Sequence, residues 1–212
     1  MTVEEQPIKP AEPKPYALCW IDIETTGLEP DIDVILELAY VITEFEYPYK
    51  RLDMGAFLVN PYDMALTEQE LCAHMGPEVE ALHRKSGLIQ DWVTHQKSAL
   101  SIFGVENRLL ELAKCWPSGN KEKVRLAGSS VDFDRSFLKV YMPDFAKRLH
   151  YRVFDASNMA TVCQSLGRVR TSSVESRHRA GSDVNDSVNL MLECVRWMLS
   201  IEPFKTMGDI RA

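Results

Sequence analysis

The sequence predicts an α/β fold, a mixed five-stranded sheet flanked by helices. Three observations predict it. Three runs rich in β-branched and aromatic residues follow one another with short links, at 17–23, 34–45 and 52–60. A block of helical pattern comes next. Two strand–helix units then complete the order, with strands at 124–128 and 151–156.

ALCWIDI (17–23) is a nearly continuous apolar run, the pattern of a buried strand. VILELAYVITEF (34–45) is longer and just as rich in strand formers, and LDMGAFLVN (52–60) ends at Asn60-Pro61. Their short links predict an antiparallel meander. LTEQELCAHM (66–75) and PEVEALHRKSG (77–87) read as short helices, the second with proline in its first turn. Ile102, Val105, Leu109 and Leu112 form one helical stripe within 98–115. PSGNKEK (117–123) is a polar, turn-rich loop. VRLAG (124–128) leads into a helix over 131–142, and YRVFDA (151–156) into one near 156–166. GRVRTSSVESRHR (167–179) is polar and expected to be a mobile loop. Val184, Val188, Met191, Val195 and Met198 alternate at spacings of four and three, which marks an amphipathic core helix.

The 212 residues suit one compact domain, here 17–203, between tails at 1–16 and 204–212. A hydrophobic content of 45% supplies a sizeable core. MTVEEQPIKPAEPKPY (1–16) is rich in Pro, Glu and Lys, so a disordered tail is expected. The net charge of -7 argues against broad binding to long duplex nucleic acid, which needs a basic face. It permits a short nucleic acid held by metal ions and a few Arg or Ser contacts. No run reaches the roughly 18 apolar residues of a membrane span. Cys19, Cys72, Cys115, Cys163 and Cys194 are odd in number, widely spaced and without a CxxC pair. That disfavours a zinc knuckle and predicts reduced thiols inside the cell, in cytoplasm or mitochondria.

CWIDIETTGL (19–28) carries two carboxylates, Asp22 and Glu24, two positions apart. In a strand they project to the same face. A turn cap or a salt-bridged pair is the ordinary explanation. Two later segments change the balance. In LAGSSVDFDRSFLKVYMPDF (126–145), Asp132 and Asp134 fall in the first turn of a helix. Asp132 suits the helix N-terminus. Asp134 suits it less well, because the strand before it is expected to neighbour 17–23. In SRHRAGSDVNDSV (176–188), His178 lies five residues before Asp183, where the last helix is expected to start. An N-cap Asp183 and a loop His178 are the alternatives. Together, four acids and one histidine stand at the ends of elements that are expected to converge on one sheet edge.

Four carboxylates do not all stay ionised at close range without cations. An oxygen-rich cluster suits Mg²⁺ or Mn²⁺, and two such ions about 4 Å apart support phosphodiester cleavage. A nearby imidazole can take the proton from the attacking water.

The set DIETTGL, GSSVDFDRSFLKVYMPDF, LHYRVFDAS and SRHRAGSD resembles the oligoribonuclease family over about residues 17 to 200. The first motif is shared by proofreading exonucleases, while DRSFLKVYMP followed by HYR is much more specific. The resemblance implies a ribonuclease H-like fold and a 3′→5′ exonuclease with an Asp-Glu-Asp-Asp metal centre. It implies that short single-stranded RNA is degraded to nucleoside 5′-monophosphates with two Mg²⁺ or Mn²⁺ ions. Asp22, Glu24, Asp134 and Asp183 match the metal ligands and His178 the general base. Thr25, Gly27 and Leu28 match substrate contacts, with Leu28 wedged against the terminal base. Ser130, Arg152 and Ser157 match the grip on the 5′-phosphate. Arg152 and Tyr151 would come from the second subunit of a homodimer. ALHRKSGL (81–88) matches the segment with a second substrate-side histidine, His83. A capping Ser130, an exposed Arg152, a core Tyr151 and a surface His83 are the ordinary alternatives.

The sequence departs from the family in three places. Glu78 stands where a tryptophan is usual, five residues before His83, and Trp92 beyond it reads as core. Ser182 replaces the acid that commonly precedes the last ligand. The loop 167–177 lacks the usual Trp-Pro pair. Glu78 predicts a shallower length preference, with very short RNA still favoured. A DNA-directed proofreading or repair exonuclease is one other function to weigh. A non-catalytic subunit of an RNA-processing assembly is another, against which the complete acid–histidine set argues.

Overall fold

Alternation along the first strand decides which side chains meet. In the computed structural model, which describes residues 17–62, 64–115, 124–167 and 177–200, β1 (Ala17–Thr25) sits at the centre of a five-stranded sheet. The sheet order is β3-β2-β1-β4-β5, where β2 is Ile35–Glu44, β3 Arg51–Leu58, β4 Arg125–Gly128 and β5 Phe154–Asp155. β1, β2 and β3 form the expected antiparallel meander, and β4 joins β1 in parallel. A parallel neighbour needs a crossover. The crossover runs through α1 (Glu68–Cys72), α2 (Pro77–Ser86), α3 (Leu88–His95) and α4 (Ile102–Ala113). The expected mixed sheet flanked by helices is borne out. The expected tails 1–16 and 204–212, the loop 117–123 and residues 168–176 lie outside the described residues.

The odd residues Cys19, Ile21 and Ile23 of β1 pack toward Val105 and Leu109 of α4 and toward Phe137 of α5 (Val131–Tyr141). The even residues Leu18 and Trp20 pack with Val184, Val188 and Met191 of α8 (Ala180–Ser200). Burial of each such side chain contributes roughly 1.5–3 kcal/mol. Continuing the even series brings Asp22 and Glu24 onto the α8 face, just past the apolar part of that layer. β2 obeys the same rule: Ala39 and Val41 face α8, and so does Glu37.

Several boundaries move. Thr67 and Glu70 form a capping box that confines α1 to Glu68–Cys72, inside the expected 66–75. Gly87, with φ 79°, ends α2 and at once opens α3, a helix the sequence pattern did not predict. Trp92 of α3 is core as expected, its indole donating to the Val59 carbonyl at 2.7 Å. Ser101 caps α4, so that helix starts at Ile102 rather than 98. The short α6 (Pro143–Ala146) was also unpredicted, and buried Glu106 accepts the amides of Asp144 and Phe145 at its start. β5 shrinks to two residues, because Tyr151 and Arg152 form an exposed bend, and α7 (Ala156–Ser165) follows it. α8 begins at Ala180, three residues before the expected start. Among the described residues no helix is long and apolar enough to cross a membrane.

Candidate metal centre

Asp22 and Glu24 reach the α8 face where the N-terminus of α8 delivers Asp183. Carboxylate oxygens of these three residues lie within 4.8 Å of one another, a group able to hold a metal ion. Asp134 comes from the first turn of α5 and is buried. It stands outside the trio, and its Oδ1 accepts the Ile23 amide at 3.1 Å. That amide is available because β4 pairs with β1 only as far as Trp20. β4 ends at Gly128, where a Cβ would come within 2.8 Å of the Ile21 carbonyl oxygen. Glycine there lets the Gly-Ser-Ser turn pass close to β1 and aim α5 at it.

The cluster is electrostatically strained without cations. Burial holds the Asp22 carboxyl well above the usual range, and Asp134, Glu24, Asp183 and Glu37 add to it. Glu24 is pushed up to about 8 by burial, then by Asp183 and Glu37, with Arg179 opposing. Asp134 is pushed up to about 8, chiefly by burial, against the lowering effect of its backbone hydrogen bonds. The donors are all oxygen, the set that suits hard divalent cations. A cation bound here would relieve the repulsion that raises these values, so the residues present fit one.

Asp183 has a second task. Its Oδ1 and Oδ2 accept the amides of Arg177 and His178 at 3.1 and 3.0 Å. It is therefore the acid inside the first turn that holds the incoming chain, not an N-cap at the helix start. His178 is fixed beside the trio with φ 51°, a left-handed backbone rare for a residue with a side chain. The next residue, Arg179, pairs with Glu37 and Asp91. Glu37 lies directly opposite Glu24 in the β1–β2 register. Sequence reasoning missed these three. The available signal was one acid, Glu37, inside an otherwise apolar strand.

His83 is buried, not on the surface. Its Nε2 lies 2.8 Å from the Thr25 carbonyl oxygen, which can only accept, so Nε2 carries the proton. Burial lowers its pKa, which favours the neutral ring. Nδ1 is then an acceptor, buried without a hydrogen-bond partner and 3.8 Å from Glu24 Oε2.

Leu28 is 71% exposed at the tip of the β1–β2 loop. The loop is tied by Asp33, whose carboxylate accepts the Thr26 hydroxyl at 3.1 Å and the Glu29 amide at 2.9 Å. The Asp33 carbonyl accepts the Tyr141 hydroxyl of α5 at 2.7 Å, and Thr25 Oγ1 donates to the Gly27 carbonyl. Any Cβ on Gly27 would fall onto the Asp33 carboxylate.

Ser130 and Ser157 come together at the ends of β4 and β5. The Ser130 amide donates to Ser157 Oγ at 3.2 Å, and Ser157 Oγ donates to Asp155 Oδ1 at 2.6 Å. The Ser130 side chain makes no cap hydrogen bond, which removes the capping alternative, and the Ser157 proton is already committed to Asp155. Tyr151 is 68% exposed rather than core. It stacks on His150 at 4.4 Å, with the Arg152 guanidinium 5.3 Å from its ring centre. Arg152 and Glu78 are both exposed.

A family model described as Exonuclease (RNase_T) matches residues 19–191. The oligoribonuclease of Corynebacterium diphtheriae is 31% identical over 211 residues, 97% of this chain and 94% of that protein. The oligoribonuclease of Colwellia psychrerythraea is 32% identical over 177 residues, 81% and 89% of the two chains. Among solved structures, the metal-free E. coli ExoI–ssDNA complex has a TM-score of 0.61 at 15% identity over 87% of this chain, which spans 41% of ExoI. Cell-death related nuclease 4 has a TM-score of 0.60 at 12% identity, covering 86% of this chain and 65% of its own. At such identities the structural likeness establishes the fold, and the expected ribonuclease H-like sheet is borne out.

Proposed function

This chain belongs to the oligoribonucleases of the exonuclease (RNase_T) family, and from that premise we propose that it is a 3′→5′ exoribonuclease that trims short single-stranded RNA to nucleoside 5′-monophosphates. One observation carries the reading: an oxygen-only trio at the end of the central strand shares Asp183 with the segment that bears His178.

Asp22, Glu24, Asp134 and Asp183 would hold divalent cations, two of Mg²⁺ or Mn²⁺. Such ions, when bound, polarise the phosphodiester and make a water acidic enough to attack near neutral pH. His178 takes the proton of that water at a ring nitrogen. Exposed Leu28 offers an apolar wedge to the terminal base, with Thr25 and Gly27 shaping the loop beneath it. His83 Nδ1, an acceptor beside Glu24, suits a ribose hydroxyl donor.

Ser130, Ser157 and Arg152 suit a 5′-phosphate, Arg152 as a planar cationic fork. In a homodimer, exposed Tyr151 and Arg152 would reach the partner's site. Ser157 must turn its hydroxyl away from Asp155 to donate there, so the Ser130 side lends itself more readily. The buried thiols Cys19, Cys72, Cys163 and Cys194 support a reducing compartment, cytoplasm or mitochondria.

The test is digestion of 5′-labelled RNAs of increasing length, with matched DNAs, in Mg²⁺, Mn²⁺ and EDTA. Stepwise loss of 3′ nucleotides from short RNA, abolished by EDTA, is expected. Faster cleavage of the matched DNAs would make it a DNA-directed exonuclease, and no cleavage of either would leave the assembly-subunit role.

A further inference from the structure

Three charged side chains outside the carboxylate set converge on the backbone that carries His178. Arg179 donates to Glu37 of β2 through Nη2 at 2.8 Å and Nε at 3.3 Å. It donates to Asp91 of α3 through Nη1 at 2.7 Å. Glu37 Oε2 also accepts the Ala180 amide at 2.8 Å. A guanidinium engaged by a carboxylate on two nitrogens has its orientation set as well as its distance.

His178 is thus bracketed. On one side Asp183 holds the amides of residues 177 and 178; on the other Glu37 holds the Arg179 side chain and the Ala180 amide. A left-handed backbone at a histidine persists where its surroundings over-determine it, and these contacts do so. Glu37 also faces Glu24 directly across the strand pair, a like-charge arrangement that is unfavourable unless one acid is paired elsewhere. Arg179 supplies that pairing.

We propose that Glu37, Arg179 and Asp91 form a clamp that keeps His178 in register with the carboxylate trio, so that Arg179 and Glu37 are positioning residues for proton transfer. The proposal rests on the exoribonuclease reading with His178 as base. None of the hydrogen bonds described for Glu37, Arg179 or Asp91 reaches a proposed metal ligand. Their charges still bear on Glu24, which Glu37 raises and Arg179 lowers, so removing both charges together isolates the action through His178. Loss of the clamp therefore lowers kcat, leaves KM for a short RNA little changed, and costs nothing further once His178 is gone.

The experiment is steady-state cleavage of a 5′-phosphorylated short RNA at saturating Mn²⁺ by the full chain. The variants are Arg179→Met, Arg179→Lys, Asp91→Asn and the double variant E37Q/R179M, each made in the wild type and in His178→Ala. Arg179→Met is expected to lower kcat roughly 10- to 100-fold, within the scale of losing a well-placed base. KM and Mn²⁺ affinity are expected to stay within about threefold in E37Q/R179M, where both charges that bear on Glu24 are gone, and Arg179→Lys is expected to recover part of the loss. In the His178→Ala background the same change is expected to alter kcat by less than about twofold, the non-additivity of residues acting as a unit. Arg179→Met leaves Glu37 buried and unpaired and can weaken the fold. E37Q/R179M removes both charges while the Gln oxygen still accepts the Ala180 amide, so it tests the clamp in a folded protein. A kcat within twofold of wild type for E37Q/R179M, or a loss that persists undiminished without His178, overturns the clamp. Wild type that leaves RNA intact, or His178→Ala at full turnover, overturns the functional reading first and the clamp with it.

Discussion

The carboxylate of Asp134 accepts the amide of Ile23 at 3.1 Å, and Ile23 is the residue that separates Asp22 from Glu24. One acid of the site is bonded to the backbone that spaces two others, across 111 positions of chain. The contact ties the first turn of α5 to β1 beside the core packing of Phe137.

Asp134→Asn separates charge from architecture, since the amide oxygen still accepts from Ile23. Turnover of short RNA is expected to fall by at least about 100-fold, the upper end of what losing even an outer partner of a metal ligand costs. Asp134→Ala is expected to lose turnover equally and to lower the melting temperature relative to Asp134→Asn. Near-wild-type turnover in Asp134→Asn would remove Asp134 from the metal-binding set.

Glu24 and Asp134 both titrate at about 8 in the fold, against ordinary values of 4.5 and 3.8. A raised carboxyl keeps its proton in the folded state over a range where the unfolded chain has lost it. Its contribution is therefore fully present below pH about 4 and is lost as pH rises toward about 8. In EDTA the melting temperature is expected to fall between pH 5 and pH 8, less steeply for Asp134→Asn, and Mn²⁺ is expected to reverse the fall. A melting temperature that is flat across this range in EDTA would contradict the arrangement.

His178→Ala is expected to lower kcat by roughly 10²- to 10⁴-fold, the range for a lost general base. Metal affinity, followed by Mn²⁺ titration, is expected to change little. A strong shift in that titration would make His178 a ligand instead.

Two glycines give opposite expectations. Gly27→Ala drives the Asp33 carboxylate off the Thr26 hydroxyl and the Glu29 amide, loosening the loop that carries Leu28. KM for the shortest RNAs is expected to rise about tenfold, since small displacements of a positioning element cost that much or more. Gly181→Ala on α8 meets nothing within 4 Å and is expected to stabilise by about 0.5–1 kcal/mol. Thermal melts and length-resolved kinetics on the pair check both.

Arg152→Ala is expected to slow cleavage of 5′-phosphorylated di- and trinucleotides most and of longer RNA less, because on the proposed reading only the shortest substrates would place their 5′-phosphate at the Ser130–Ser157 end. Glu78→Trp is expected to sharpen the preference for short RNA, an indole offering a stacking face where a carboxylate has none. Competition between a phosphorylated dinucleotide and a longer RNA, with solution mass measured alongside, reads out both. A fully active monomer would misplace the phosphate grip.

The sheet was legible because its first three strands are apolar runs whose composition admits little else, and α8 because its stripe holds over five positions. α3 was not, since LIQDWVTH follows α2 with only Gly87 between them, and a left-handed glycine leaves no gap in the pattern. YRVFDA overstated β5 because strand propensity cannot tell that Tyr151 and Arg152 turn outward. The carboxylates were legible by spacing, whereas the depth of His83 was hidden in a helix that is otherwise mostly polar and exposed. The pairing of Glu37 with Arg179 depends on a strand register and a helix start that no local window contains.

The central place of β1 also has a thermal consequence. Amides of a strand with neighbours on both sides exchange with solvent only through large-scale opening, while edge elements such as β3 and β5 open at lower free energy. Asp22 and Glu24 extend that strand beyond Trp20, where β2 alone pairs with it and the Asp134–Ile23 contact closes the other side. The described residues 177–179 that carry His178 into α8 are held by the Asp183 and Glu37 side chains. On warming, the segment that carries His178 is therefore expected to loosen before the sheet does, so that turnover is expected to fail while the carboxylates still take up a divalent cation.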